Sequence, residues 1–215
     1  MNRKITSLLI IGTVVVGAGL YAFFDRNGNV GEQQSALNDV AKQCQFTDSQ
    51  RATVDGAIGG DVAAFRLIDK PMNVDHLSFA DVDGKPLKVA DFSGKTILLN
   101  LWATWCPPCR EEMPWLDELN ATQGGEDFEV VAVSIDLDSA DKPKAFYADN
   151  NIASMQFYHD GSMGIFNTLK KEGVALGMPT TVLVDKTGCA LGVLNGPAHW
   201  ASPDAVKLIR AAKSF

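Results

Sequence analysis

The chain alternates between apolar runs and amphipathic stretches, and their order predicts the fold. Thr96 to Trp102 and Glu129 to Ile135 are apolar runs of strand length, while about Pro107 to Asn120 and about Lys142 to Asn150 space their apolar positions as helices do. Strand and helix in alternation predict a parallel sheet joined by crossover helices. The pattern then shortens to a strand around Gln156 to Tyr158 and a helix around Ser162 to Lys170. Strands Thr180 to Asp185 and Cys189 to Leu194 follow, made antiparallel neighbours by the tight Lys186-Thr187-Gly188 turn, and Pro203 to Ala212 closes the chain as a helix.

Ahead of this regular part, Leu77 to Ala80 and Leu87 to Val89 flank an Asp81-Val82-Asp83-Gly84-Lys85 turn and predict a hairpin. From Ala36 to about Ile68 the helical spacing is broken by Gly56, Gly59 and Gly60, which predicts one or two imperfect helices. Asp25 to Ser35, rich in Asn, Gly and Gln, reads as a flexible tether. The expected division is an anchor at 1–24, a linker at 25–35 and a domain at 36–215 that carries an N-terminal extension, 36–76.

Ile5 to Phe24 is uncharged and strongly apolar, and Arg3 and Lys4 precede it. About 20 residues of helix cross the ~30 Å hydrocarbon core. Positive charge ahead of the run would keep the amino terminus in the cytoplasm and carry everything after Asp25 across the membrane. The competing reading is a signal cleaved near Val16-Gly17-Ala18. Cleavage there leaves Leu20 to Phe24 as an exposed apolar end, so an uncleaved single-pass anchor is the expectation. Both readings export the domain.

With 215 residues and 46% apolar composition, the chain holds one domain with a sizeable core plus a short extra module. A net charge of −7, with basic residues scattered along the chain, argues against nucleic acid as a partner.

The first predicted strand runs into Trp105-Cys106-Pro107-Pro108-Cys109-Arg110. A bare Cys-x-x-Cys is also half of a zinc site, but no second zinc-type pair exists, and Cys44 and Cys189 are each isolated. At a strand-to-helix junction Cys106 is the expected attacking sulfur, its thiolate stabilised by the helix start. Cys109, one turn on and facing inward, is the expected resolving thiol. Pro107 and Pro108 remove two main-chain donors that would otherwise point at Cys106, which predicts a more reducing couple; the alternative is that they merely stiffen the turn. Glu112 lies on the same helical face as Cys109, either to shuttle its proton or as an ordinary solvated residue. Pro114 predicts a kink in that helix. Trp105 is a candidate apolar platform for a partner, or else a second core aromatic beside Trp102. With Pro107, Pro108 and Met178 it makes up the candidate substrate-contact set.

In an exported chain the leftover pair Cys44 and Cys189 is expected to join, closing a loop of about 145 residues worth roughly 5 kcal/mol; two buried free thiols are the alternative. His76, His159 and His199 lack ligand spacing and read as structural. No cofactor and no metal site is expected.

Trp105-Cys106-Pro107-Pro108-Cys109-Arg110, Glu112-x-Pro114 and Met178-Pro179-Thr180, in that order, make the stretch from about Leu77 to the end resemble membrane-anchored extracytoplasmic thioredoxin-like proteins of the TlpA, ResA and CcmG type. Cys44 ahead of the domain, Gly188-Cys189-Ala190-Leu191-Gly192, Gly196-Pro197-Ala198 and Trp200-Ala201-Ser202 bring it nearest the TlpA group. The resemblance implies an α/β thioredoxin-like fold: a central mixed sheet flanked by helices, a helix-containing insert between Ile135 and Gly177, an N-terminal helical extension and a preceding transmembrane helix. It also implies a cis Pro179 beside the dithiol, a catalytic pair at Cys106 and Cys109, and a helix glutamate at Glu112. Where thioredoxin carries a buried acid, six residues before the first cysteine, this chain has Asn100, so that role must move. Pro107, where the TlpA group has Val, leaves the potential open.

The resemblance further implies a periplasmic reductant of cysteines in a copper chaperone or an oxidase copper-centre subunit, supplied with electrons by a membrane thiol reductant of the DsbD or CcdA type. The rival within the group is reduction of apocytochrome c haem-site cysteines, but the acidic Gly-x-x-Gly-x-Pro-Glu segment of the CcmG type is replaced by Gly173-Val174-Ala175-Leu176-Gly177-Met178-Pro179-Thr180. A peroxiredoxin would need Pro-x-x-x-Thr-x-x-Cys, whereas Thr104 lies two residues before Cys106. From another class, the dithiol as a Cu(I)-binding module suits soft thiolates, although a proline beside the sulfurs would crowd a metal.

Overall fold

The computed structural model describes Cys44 and residues 46–215. Ile5 to Phe24 and the tether lie outside the described residues, among which no helix is long and apolar enough to cross a membrane. The first described helix, α1 (Asp48–Asp55), opens on a capping box in which Thr47 and Gln50 each satisfy the other's main-chain N–H. It ends at Gly56, and Gly60–Val62 forms only a 3₁₀ turn, so most of the helix expected across Val54 to Phe65 is not formed. Gly59 and Gly60 are poor helix formers, and the chain turns here into strand.

That strand, β1 (Arg66–Asn73), replaces the end of the expected helical stretch and is the main departure from the sequence reading. The hairpin β2 (Ser78–Ala80) and β3 (Pro86–Lys88) pairs antiparallel. Next come β4 (Thr96–Trp102), α2 (Pro107–Gln123), β5 (Phe128–Ser134), α3 (Asp141–Asp149), β6 (Tyr158–His159), α4 (Gly164–Lys171), β7 (Thr180–Val184), β8 (Cys189–Asn195) and α5 (Pro203–Lys213). Pro114 does not end α2, which continues to Gln123.

Among the described residues these strands make one mixed eight-stranded sheet in the order β1-β8-β7-β4-β5-β6-β2-β3. β4 lies at its centre, parallel to β5 and antiparallel to β7, and all seven of its residues are buried. Helices α3 and α4 with β6 make up the segment inserted between β5 and β7. Trp102 fixes α3 to the end of β4, its ring 5.1 Å from Phe146 and 5.8 Å from Tyr147. Because β4 and β5 run in one direction and β7 in the other, the loops after β4 and β5 and the loop before β7 meet at one end of the sheet. The site is built there.

Candidate redox site

Cys106 is the N-cap of α2, with extended backbone (φ −101°, ψ 101°), and Pro107 and Pro108 occupy the first two helical positions. Proline is tolerated there because those N–H groups have no partner inside a helix. The consequence falls on sulfur: Cys106 Sγ accepts the main-chain N–H of Cys109 at 3.3 Å, and the two residues between have no N–H to add. Cys106 and Cys109 are joined as a disulfide. Both cysteines are buried, Cys109 completely, whereas Cys106 keeps 5% of its surface exposed and is the more accessible of the two.

Glu112 is not a solvated helix residue. Its carboxylate is buried, and three donors converge on it: Asn100 Nδ2 to Oε1 at 2.8 Å, and the Ala198 N–H and Trp200 Nε1 to Oε2, each at 3.1 Å. Burial pushes its pKa from 4.5 up to about 7, against the pull of these hydrogen bonds. A carboxyl poised near neutrality, one turn beyond Cys109, suits proton transfer. Asn100, the neutral residue in place of an acid, spans Glu112 and Thr181 Oγ1 (2.9 Å) and so ties α2 to β4 and β7. Its own Oδ1 is buried without a partner among the described residues.

The Met178–Pro179 peptide bond is cis. Pro179 is buried and its carbonyl accepts the N–H of Gly196 at 2.9 Å, while Thr180 Oγ1 reaches Asn195. In the ladder Leu101 faces Thr180, which brings Met178 and Pro179 alongside the end of β4, where the loop to Cys106 begins. Met178 is part-exposed, and its main-chain N–H and C=O make no hydrogen bond among the described residues.

Trp105 is 58% exposed whereas Trp102 is fully buried, so the two tryptophans of the motif divide between surface and core. Two other large apolar side chains on this end of the sheet are open to water: Leu137, just after β5, at 60%, and Leu176, two residues before Met178, at 67%. Arg110 and Glu111 line, with Pro107, Phe146 and Asn150, a groove of about 300 Å³ between α2 and α3.

Asp136, which the sequence reading passed over, sets the loop geometry. Buried at the end of β5, its carboxylate accepts the Thr104 N–H (2.9 Å), the Thr104 hydroxyl and the Ser134 hydroxyl (2.9 Å), so it grips the backbone two residues before Cys106. His159 Nε2 lies 2.7 Å from the Asp136 carbonyl, and His199 packs against Trp115 with ring centroids 4.5 Å apart and the planes tilted by 54°. An acid directly after a buried strand was the available signal for Asp136. For Trp200 there was none, since its partner lies 88 positions away.

The second disulfide joins Cys44 to Cys189 across 145 positions. Cys189 opens β8 after Gly188, whose φ of 80° and close approach to the Asp75 carboxylate admit no side chain.

Comparison with known proteins places these features. Residues 61–209 match the model of the family Redoxin. The thiol-disulfide oxidoreductase ResA of Bacillus thuringiensis subsp. konkukian is 32% identical over 117 residues, 54% of this chain and 64% of ResA. ResA of Oceanobacillus iheyensis is 35% identical over 116 residues, 54% of this chain and 57% of that protein. The match thus spans less than two thirds of these relatives' length. Among solved structures, a Chlorobium tepidum protein described as thiol:disulfide interchange protein DsbE superposes with a TM-score of 0.58 at 29% identity, covering 68% of this chain and 99% of that one. A DsbF homologue from Corynebacterium diphtheriae gives 0.56 at 25% identity, covering 69% and 92%.

Proposed function

Because the chain belongs to the Redoxin family, in its thioredoxin-like TlpA, ResA and CcmG type, we propose that it is a thiol:disulfide oxidoreductase acting as a dithiol reductant. In the reduced protein the Cys106 thiolate attacks one sulfur of a partner's disulfide, forming a mixed disulfide and releasing the partner's other sulfur as thiolate. Cys109 then gives its proton to Glu112 and attacks Cys106 Sγ. The Cys106–Cys109 bond forms, the partner's second sulfur leaves, and two electrons have passed to the partner. Pro179 shields the sulfur pair, and Trp105, Pro107, Pro108 and Met178 form the contact surface.

The one main-chain donor on Cys106 Sγ among the described residues carries the direction of electron flow. A thiolate given fewer donors is less stabilised, and a less stabilised reduced form makes the couple more reducing. The substrate class is cysteines of a copper chaperone or an oxidase copper-centre subunit, kept reduced for metal loading. What supports it is the TlpA-like set of Gly188 to Gly192, Gly196-Pro197-Ala198 and Trp200-Ala201-Ser202. The apolar run from Ile5 to Phe24, with Arg3 and Lys4 ahead of it, supports single-pass anchoring in the inner membrane with the domain in the periplasm. A membrane thiol reductant of the DsbD or CcdA type would restore the dithiol.

The reduction potential tests this reading. Equilibration against glutathione or dithiothreitol should give a value at or below about −230 mV, and one near about −120 mV would make the protein an oxidant and end the proposal. Oxidised copper-site dithiol peptides should then be reduced faster than an oxidised apocytochrome haem-site peptide. The reverse order would move the substrate class to cytochrome c maturation.

A further inference from the structure

We propose that Trp200 is a positioning residue for the proton step: its indole N–H fixes the Glu112 carboxylate and ties that carboxylate, through the loop 196–200, to the Pro179 segment. The inference rests on the reading of Glu112 as proton acceptor for Cys109. Trp200 is fully buried, a place where an indole N–H needs an acceptor, and that acceptor is Glu112 Oε2. The same oxygen takes the Ala198 N–H, so two of the three donors to this carboxylate come from one five-residue loop. At its other end the loop donates the Gly196 N–H to the Pro179 carbonyl. The carboxyl that receives the Cys109 proton and the peptide that faces the partner are therefore held by opposite ends of one short segment.

A hydrogen bond to a carboxylate is about twice as strong as one to a neutral acceptor. When Cys109 passes its proton to Glu112, the hold on Ala198 and Trp200 weakens at the moment the partner is to leave, and ionisation restores it. The titratable groups near Glu112 are Cys109 on α2 itself, once the disulfide is reduced, and His199 in the loop, which is exposed and packs against Trp115. β4 and β7 present Asn100 and Thr181, which do not titrate.

The test uses the full-length ¹⁵N-labelled chain in detergent micelles. Four tryptophans give four indole N–H signals, and the Trp200 signal is assigned with Trp200→Phe or, should that variant not fold, by elimination with the other three replaced singly. In the oxidised protein the Trp200 signal should move between pH 5 and 9 with one midpoint near neutrality, and Glu112→Gln should abolish the movement. Trp200→Phe should raise the pH midpoint of thiol–disulfide exchange by about half a unit to one unit, since it removes a donor to the charged form. Trp115→Phe should leave that midpoint in place. An indole signal that stays still, or that moves equally in Glu112→Gln, overturns the inference, as does an unchanged exchange midpoint in folded Trp200→Phe. Absence of exchange in the unaltered protein would instead remove the oxidoreductase reading, and the indole titration would still decide whether Trp200 and Glu112 are coupled.

Discussion

Replacing Glu112 by Gln should stabilise the oxidised protein above neutral pH and leave it nearly unchanged below about pH 4.5. The folded protein holds the Glu112 proton more tightly than the unfolded chain does, with the pKa raised from 4.5 to about 7. This carboxyl therefore contributes stability that is fully present below about pH 4.5 and is lost as pH rises through about 7. At about 1.4 kcal/mol per pH unit, the interval amounts to about 3 kcal/mol. Gln keeps the shape of the side chain. Its Oε1 can accept from Ala198 and Trp200, and its amide can donate to Asn100 once that amide turns over to present Oδ1, which has no partner among the described residues. The variant thus resembles the protonated protein at every pH. Urea unfolding of both oxidised proteins at pH 5, 6, 7 and 8 should show the unaltered one falling progressively below the variant by about 3 kcal/mol. Two stability profiles that stay parallel from pH 5 to 8 would show that Glu112 does not titrate in this range, and the proton-transfer role would lose its basis.

Pro108→His returns a main-chain N–H next to Cys106 Sγ and should raise the reduction potential by tens of millivolts, on the order of one tenfold step in the exchange equilibrium; an unchanged potential in glutathione equilibration would remove the donor account. Asp136→Ala strips the acceptor from the Thr104 N–H and hydroxyl and should cost about 1–3 kcal/mol in urea unfolding while slowing exchange at Cys106. The double replacement Cys44→Ser with Cys189→Ser should lower stability by up to about 5 kcal/mol, with the Cys106–Cys109 potential unmoved. A shifted potential would mean that the two disulfides communicate.

The sheet from β4 onward was legible because its signals are local: apolar runs of strand length, turn residues between them, and prolines that open α2 and α5. β1 was not. Its sequence, Arg-Leu-Ile-Asp-Lys-Pro-Met-Asn, neither alternates nor stays apolar, and its ladder with β8 is irregular between Leu67 and Met72. Only β8 makes it a strand. The same divide runs through the site. Cys106, Cys109 and Glu112 lie within seven positions on one helix and could be read from spacing. The hold of Asp136 on Thr104 spans 32 positions, and that of Trp200 on Glu112 spans 88, so both arise only when the sheet brings distant loops together.

The two outermost strands bear on how such a protein meets its partners. Chains that present cysteines for thiol–disulfide exchange in extended form have unpaired main chains, and an open sheet edge captures extended chains without discrimination. β1 carries Lys70-Pro71 and β3 carries Pro86 and Lys88. Each proline deletes a main-chain donor and each lysine adds a charge that resists docking, so both margins are blunted against strand capture. The main chain of Met178 makes no hydrogen bond among the described residues and lies at the same end of the sheet as Cys106, so on the proposed function it is the place left for an incoming strand. The fold thereby sorts encounters by address: contact at the margins is discouraged, and contact at the redox end can proceed to chemistry.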